Sequence, residues 1–82
     1  MSWFLYVIEC EDGSLYTGIA LDPHARYAAH CVGEGARYTR SHPPRRLLVT
    51  LPFPDRSSAS KEEYRVKRMS AAQKKRFCET VG

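Results

Sequence analysis

The side chains best suited to chemistry are concentrated in one stretch near the start of the chain, LYVIECEDGSLYTGIALDPHARYAAH. It places one tyrosine in each of two short β-prone runs, Tyr6 and Tyr16, followed by Arg26 and His30 four residues apart. Phenol and imidazole groups donate and accept protons, and a guanidinium binds anions. Residues at i and i+4 share a helix face, so Arg26 and His30 are predicted to lie side by side. A solvated helix surface and a core tyrosine explain each residue alone, and only the combination indicates a site.

A glutamate interrupts the apolar stripe of a predicted helix later in the chain. Glu63 lies four residues after Ala59 and three before Val66, where an apolar side chain is expected. A carboxylate that faces inward is costly unless it meets a cation or a metal ion. An ordinary i,i+4 ion pair between Glu63 and Lys67 explains the same pattern. Both interpretations stay open at this point.

Basic residues crowd a loop that contains glycine and proline. The chain has 82 residues and a formal net charge of +4. Arginines beside an aromatic residue in such a loop suit phosphates and unstacked bases. Gly18 lies inside a predicted strand, where a glycine often marks the close approach of a ligand or of backbone. The predicted nucleic-acid contacts are Gly18, Arg37, Tyr38, Arg40, Arg45, Arg46 and Lys67. A second basic group near the C-terminus is interpreted as a solvated surface.

Composition excludes several classes of protein. No apolar run approaches the roughly 20 residues that cross a bilayer. The first residues lack the basic segment and cleavage site of a secretory signal, so we expect a cytoplasmic protein with no membrane contact. Its three cysteines are odd in number and show no C-x-x-C spacing, which argues against a disulfide framework and a zinc site. A chain of this length predicts one domain, residues 1–82, and we expect a monomer.

Local signals divide the chain into six elements. Strands are predicted over residues 3–9 and 15–20, joined by a turn at residues 11–14. Asp22 and Pro23 open a helix that runs to about residue 31, and residues 32–44 form the basic loop. A third strand follows over residues 46–53. Ser57 or Ser58 opens a second helix to about residue 68, and Ser70 begins a last helix as part of an S-x-x-Q capping box.

The order β-β-α-β-α-α predicts an α/β (α+β) sandwich. The first strand is apolar on both of its alternating faces and is therefore predicted to be central, with both faces covered. The hairpin makes the second strand antiparallel to it, and the first helix brings the third strand back antiparallel as well. The prediction is a three-stranded antiparallel sheet with strand 1 in the centre, flanked by three helices.

The hairpin decides whether the two tyrosines can share a site. A two-residue turn at Asp12 and Gly13 pairs Glu9 with Tyr16 and places Tyr6 and Tyr16 on opposite faces. A three-residue loop over residues 11–13, with Gly13 in a left-handed conformation, pairs Tyr6 with Gly18 instead. We predict the longer loop, because it places both tyrosines on one face.

The ordered set of these residues resembles the GIY-YIG endonuclease domain. It comprises Tyr6 in LYV, Tyr16 in YTG, Arg26-x-x-x-His30 and Glu63 on a later helix. The resemblance covers almost the whole chain and is greatest to small stand-alone bacterial members, in which segments like GARYTR and EYRVKRM recur. LYV replaces the glycine and isoleucine of the first family triplet, and YTG replaces the isoleucine of the second. Both tyrosines and Gly18 are retained.

The resemblance implies a metal-dependent DNA endonuclease that hydrolyses phosphodiester bonds. Glu63 then corresponds to the ligand of Mg²⁺ or Mn²⁺, and Arg26 to the arginine that neutralises the phosphate. Tyr6 and Tyr16 are joint candidates for taking the proton from water, and His30 shares that role or hydrogen-bonds the tyrosine or the phosphate. Larger members carry extra DNA-binding domains that have no counterpart here, which favours single-stranded or branched DNA over plain duplex. The alternative is a non-catalytic nucleic-acid-binding module that uses the same basic surface.

Overall fold

The computed structural model describes residues 2–81, so the outermost residues of the predicted domain, Met1 and Gly82, lie outside it. The elements in chain order are β1 (Trp3–Cys10), β2 (Leu15–Ala20), α1 (Pro23–Cys31), α2 (Arg37–Ser41), β3 (Pro44–Phe53), α3 (Arg56–Lys67) and α4 (Ala71–Val81). This is the predicted order with one short helix, α2, added inside the predicted loop. None of the helices within these residues has the length and apolar content needed to cross a membrane.

The three strands form one antiparallel sheet in the order β2-β1-β3, as predicted. Alternate residues of the central strand β1 supply two separate cores, because successive side chains point to opposite faces of a strand. Leu5 and Val7 pack in a cluster with Val66 of α3 and Cys78 of α4. Tyr6, Ile8 and Cys10 form the cluster on the other face, against which Tyr27 of α1 packs. Helices therefore cover both faces of β1, which confirms the prediction from its continuous apolar pattern.

The hairpin contains the longer, three-residue loop. The amide of Cys10 donates to the carbonyl of Ser14 at 2.8 Å, and Gly13, at φ +86°, donates to the carbonyl of Cys10 at 2.9 Å. A positive φ suits glycine, which has no side chain to clash in the left-handed region. The resulting register pairs Tyr6 with Gly18. Tyr6 and Tyr16 consequently lie on the same face of the sheet, as predicted.

Side-chain caps define the beginnings of the longer helices. Asp22 accepts a hydrogen bond from the amide of Ala25 at 3.1 Å, and Ser70 and Gln73 exchange the two bonds of the predicted capping box at 2.8 and 3.2 Å. The predicted start of α3 was wrong by one or two residues. Asp55 is the cap, and its carboxylate accepts from the amide of Ser58 at 2.8 Å. An aspartate can satisfy the free amides of a first turn as well as a serine does, so the earlier residue begins the helix.

The extra helix α2 is a correction to the predicted loop of residues 32–44. It has five residues, of which only Thr39 is buried, while the flanking Tyr38 and Arg40 are exposed. A helix of little more than one turn has no periodic apolar stripe to reveal it. Its position depends on contacts that Thr39 makes with α1, described below, and these contacts are not visible in the local sequence.

Candidate active site

Three buried side chains form a hydrogen-bonded chain between β1, α1 and α2. The Tyr6 hydroxyl lies 3.0 Å from Nε2 of His30, and Nδ1 of the same imidazole lies 2.6 Å from Oγ1 of Thr39. Tyr6 and Thr39 are 2% exposed and His30 is 1% exposed. Tyr6 is held by the central strand and His30 by the last turn of α1, so two rigid elements fix the geometry. The structure thus brings Tyr6 and His30 together, and it adds Thr39, which the sequence did not suggest.

Burial alters the proton affinity of both groups in this contact. Burial, and to a smaller extent the positive charge of Arg26, lower the pKa of His30 below 6.5. The imidazole is therefore neutral near pH 7 and can accept a proton. Burial is also the main cause that raises the pKa of Tyr6 above 10, with a smaller contribution from Tyr16, and Arg26 opposes this rise. Tyr6 is therefore a protonated phenol in a hydrogen bond with a neutral imidazole.

Arg26 lies on the exposed side of α1, one helical turn before His30. Its positive charge acts on both the Tyr6 hydroxyl and the His30 ring, because it lowers the pKa of each. A guanidinium that is open to solvent and close to these two groups can bind an oxyanion beside them. Arg26 and His30 both lie on α1, and of the two only His30 is buried.

Aromatic rings extend the site from Tyr16 to α2. The ring centroid of Tyr16 lies 5.2 Å from that of His30 and 6.4 Å from that of Tyr6. Tyr38 stacks on Tyr16 at 5.8 Å and on His42 at 4.3 Å. Nδ1 of His42 in turn contacts Oδ2 of Asp12 at 2.6 Å. Hydrogen bonds from Ser14, and then from His42, hold the pKa of the Asp12 carboxyl well below its usual range. The β1–β2 turn and α2 are thereby joined at the edge of the site.

Two glycines make room for the chemistry-bearing side chains. A Cβ atom on Gly18 would lie 2.5 Å from the Tyr6 hydroxyl oxygen and 2.6 Å from its Cζ. Gly18, which the sequence indicated as a place of close approach, is therefore required by the Tyr6 side chain of this chain itself. Gly35, which sequence reasoning did not single out, occupies the same kind of position against the His30 ring, with no space for a Cβ atom.

Two adjacent glutamates of α3 lie on different sides of the helix. Glu63 forms an ion pair with Lys67, with 3.2 Å between Nζ and Oε2. Nζ of Lys67 also lies 6.0 Å from the Tyr16 ring centroid. The negative charge of Glu63 also contributes to raising the pKa of Tyr6. Glu62 makes two 2.7 Å contacts with Arg65. The Glu63 side chain is 21% exposed, so it is partly inward and ion-paired, which combines the two interpretations left open by the sequence.

The basic residues of the predicted loop do not form one cluster. Arg37 and Arg40 are exposed on α2, beside Tyr38, and Arg45 is exposed on β3. Arg46 pairs across the sheet with Glu9, with Nε 2.7 Å from Oε1. Glu9 lies between Ile8 and Cys10 on β1, so by strand alternation it faces away from Tyr6. The Arg46 side chain is thus paired with a residue on the face of the sheet opposite Tyr6, close to a β-bulge in the pairing of β1 with β3.

A family model described as the GIY-YIG catalytic domain matches residues 2–76. The chain belongs to the GIY-YIG family. It is 53% identical to a UPF0213 protein of Cupriavidus pinatubonensis over 76 residues, which cover 93% of this chain and 84% of that protein. A UPF0213 protein of Xanthomonas axonopodis is 49% identical over 72 residues, covering 88% of this chain and 71% of the relative.

Two solved structures resemble this GIY-YIG chain over nearly all of its length. The solution NMR structure of a UPF0213 protein from Bacillus halodurans is 40% identical, with a TM-score of 0.65, and covers 100% of this chain and 87% of that one. A solution NMR structure of a protein from E. faecalis is 35% identical in sequence, with a TM-score of 0.66. The match covers 98% of this chain and 85% of that protein. The predicted resemblance and the predicted fold are both confirmed, since the relatives are small GIY-YIG proteins.

GIY-YIG domains are generally endonucleases that act on nucleic acid and depend on a divalent metal ion. Within residues 2–81, no group of three or more His, Cys, Asp or Glu side chains could hold an ion by itself. Mg²⁺ is commonly bound through only one or two carboxylates, with water and substrate phosphate completing its shell. Glu63, partly exposed and already paired with a cation, fits such a weakly held ion, whereas it does not fit a permanent structural metal.

Proposed function

We propose that this GIY-YIG protein is a divalent-metal-dependent DNA endonuclease. Its proposed catalytic residues are Tyr6, Tyr16, Arg26, His30 and Glu63. The observation that carries the proposal is the 3.0 Å contact between the Tyr6 hydroxyl and Nε2 of a neutral His30, with the charge of Arg26 close to both. It joins a proton donor, a proton acceptor and an anion-binding group at one place, which are three requirements of phosphodiester hydrolysis.

In the proposed reaction, the attacking water gives a proton to the Tyr6 oxygen while the proton of Tyr6 passes to Nε2 of His30. The water oxygen bonds to phosphorus as the P–O bond to the leaving sugar oxygen breaks, and that oxygen takes a proton from solvent. Because the pKa of Tyr6 is raised above 10, almost no tyrosinate is present near pH 7 to act as a base. Coupled transfer to His30 removes the need for a free tyrosinate.

The remaining residues bind and orient the substrate in this proposal. Arg26 offers the phosphate two parallel hydrogen bonds, and the half-buried Tyr16 is the tyrosine that substrate reaches more readily. Glu63 would hold Mg²⁺ or Mn²⁺, which when bound supplies positive charge to the phosphoryl oxygens. Lys67, exposed and next to the Tyr16 ring, can leave Glu63 and contact phosphate.

Single-stranded or branched DNA is the proposed substrate form. Arg37, Tyr38 and Arg40 are exposed on α2 beside the site, where an aromatic ring and two cations can contact bases and phosphates of an unpaired strand. Gly18 on β2 and Arg45 on β3 are proposed to extend that surface, and Arg46 is proposed to reach DNA only by leaving its ion pair with Glu9. The proposal includes a single-domain, cytoplasmic monomer, which rests on composition and cysteine pattern alone.

The alternative, a binding module that does not cut, is favoured by one observation. Lys67 already neutralises Glu63 at 3.2 Å, so the carboxylate has a structural partner without any metal. A cleavage assay separates the two functions, using single-stranded, branched and duplex DNA with Mg²⁺, Mn²⁺ or a chelator. We expect metal-dependent cleavage that Tyr6→Phe abolishes and Tyr27→Phe, a hydroxyl deletion on the same face, leaves intact. DNA binding without cleavage in every condition would establish the binding module.

A further inference from the structure

We infer that Thr39 is a positioning residue that holds His30 in the tautomer with hydrogen on Nδ1, so that Nε2 is free to accept the proton of Tyr6. The tautomer itself is a property of the folded chain. Its consequence for cleavage rests on the proposed function. Thr39 lies on α2, nine residues after His30, and the local sequence gives no sign of this contact.

The groups around the His30 ring have few protons to share. Oγ1 of Thr39 is 2.6 Å from Nδ1 of His30 and 3.0 Å from the carbonyl oxygen of Ala36. A hydroxyl has a single proton to donate. If that proton goes to the Ala36 carbonyl, Thr39 is an acceptor toward His30, and the hydrogen between them belongs to Nδ1. The neutral imidazole then has a bare Nε2 that faces the Tyr6 hydroxyl at 3.0 Å.

The opposite tautomer leaves more buried groups without partners. With Nδ1 bare, Thr39 would donate to it, and the 3.0 Å contact with the Ala36 carbonyl would bring two oxygens together without a proton between them. Nε2–H would then donate to Tyr6, a residue that is 2% exposed, and the Tyr6 hydroxyl proton would lose its only acceptor within the described residues. A buried polar group without a partner costs about 1–3 kcal/mol.

One contact favours the opposite tautomer and shows where the imidazole would turn without Thr39. The amide of Ala36 points to Nδ1 of His30 at 3.3 Å, the longest of the contacts around the ring. It is the one contact that the Nδ1–H tautomer gives up. Removing the Thr39 hydroxyl would leave this amide as the nearest partner of Nδ1, and the proton would then move to Nε2.

The same short helix also carries the side chains proposed to touch DNA. Arg37, Tyr38 and Arg40 surround Thr39 in sequence and are exposed, whereas Thr39 points to His30. Gly35, just before α2, lies so close to the imidazole that the ring has no space to shift toward it. The tautomer of His30 therefore depends on how α2, the helix proposed to bind substrate, packs against α1.

NMR of protein with ¹⁵N-labelled histidine tests the inference without any cleavage. The imidazole ¹⁵N shifts and their couplings to ring protons distinguish the two neutral tautomers, and the His24→Gln and His42→Gln variants assign the signals. We expect Nδ1–H for His30 in the parental protein above pH 7. Nε2–H in that spectrum would overturn the inference by itself, whether or not any variant folds.

Two substitutions at Thr39 separate positioning from packing. Thr39→Val keeps the shape and removes the hydroxyl, and we expect His30 to change to the Nε2–H tautomer, with cleavage reduced about a hundredfold or more through loss of proton transfer. Thr39→Ser keeps the hydroxyl, so the tautomer and most of the activity should return. A Thr39→Val protein with Nδ1–H unchanged would refute the inference. If the tautomers behave as expected but the parental protein cuts no DNA, the proposed function fails and the positioning role stands.

Discussion

Replacing Glu63 by glutamine distinguishes the metal role of this carboxylate from its ion pair. The amide has nearly the same shape, but it cannot hold a divalent ion as a carboxylate does. In the folded protein the change breaks one ion pair, between Glu63 and Lys67. The Glu63 side chain is 21% exposed and that of Lys67 is 50% exposed. An exposed i,i+4 pair contributes about 0.3–0.5 kcal/mol. We therefore expect almost no change in the free energy of unfolding.

The expected loss of catalysis is much larger. Loss of the carboxylate proposed to hold the ion removes several kcal/mol of transition-state stabilisation, and each factor of ten in rate corresponds to roughly 1.4 kcal/mol. A decrease of about 3–4 kcal/mol is thus a loss of two to three orders of magnitude in cleavage. DNA affinity should stay the same or increase, because Lys67 is released and a negative charge near the phosphate is gone.

The neighbouring glutamate supplies the matched control. Glu62 is also on α3 and ion-paired, but with Arg65, whose guanidinium lies over the Phe77 ring of α4. Glu62→Gln should therefore keep both cleavage and its dependence on Mg²⁺ or Mn²⁺. Cleavage, DNA affinity, Mn²⁺ affinity and melting temperature are measured on the same preparations. Parental cleavage by Glu63→Gln, or an equal loss in both variants, would show that Glu63 is structural and that the site is assigned wrongly.

Three further predictions concern pH, salt and packing. The pKa of His30 is lowered below 6.5 in the folded state, so the unfolded chain takes up a proton on His30 first as the pH falls. The free energy of unfolding should therefore decrease as the pH falls from about 6.5 through the folded pKa. Chemical denaturation of the His30→Gln variant should not show this decrease. Arg37→Ala should flatten the slope of log K against log salt by about one in DNA titrations, whereas Arg46→Ala should not change it. Gly18→Ala places a Cβ 2.5 Å from the Tyr6 hydroxyl oxygen and should cost about 1–3 kcal/mol; a denaturation midpoint equal to that of the parental protein would contradict the packing.

Local sequence signals account for most elements of the fold. Asp22 followed by Pro23 marks the start of α1, and Ser70 with Gln73 marks the start of α4, because helix caps are made by residues within one turn of each other. Requiring Tyr6 and Tyr16 to share one face was enough to choose the longer hairpin loop. Such features depend on contacts between near neighbours and on strand alternation, which the sequence states directly.

Tertiary contacts decided which of the proposed residues meet. Arg37 and Arg46 are near in sequence, but Arg46 pairs across the sheet with Glu9, on the face opposite Tyr6. Glu62 and Glu63 are adjacent, and only packing of α3 against the rest of the chain places Glu63 and Lys67 beside Tyr16.

The clearest difference between sequence and structure is α2. The types and order of Tyr6, Arg26 and His30 are enough to indicate a site, because those side chains have few other combined uses. The contact of Thr39 with His30 joins α1 and α2 through one buried hydrogen bond of 2.6 Å. The recurring segment GARYTR contains Thr39 but does not indicate its partner, since the bond exists only when α1 and α2 have packed together. The sequence by itself determined which chemistry the chain can carry, and the tertiary structure decided which proton acceptor faces Tyr6.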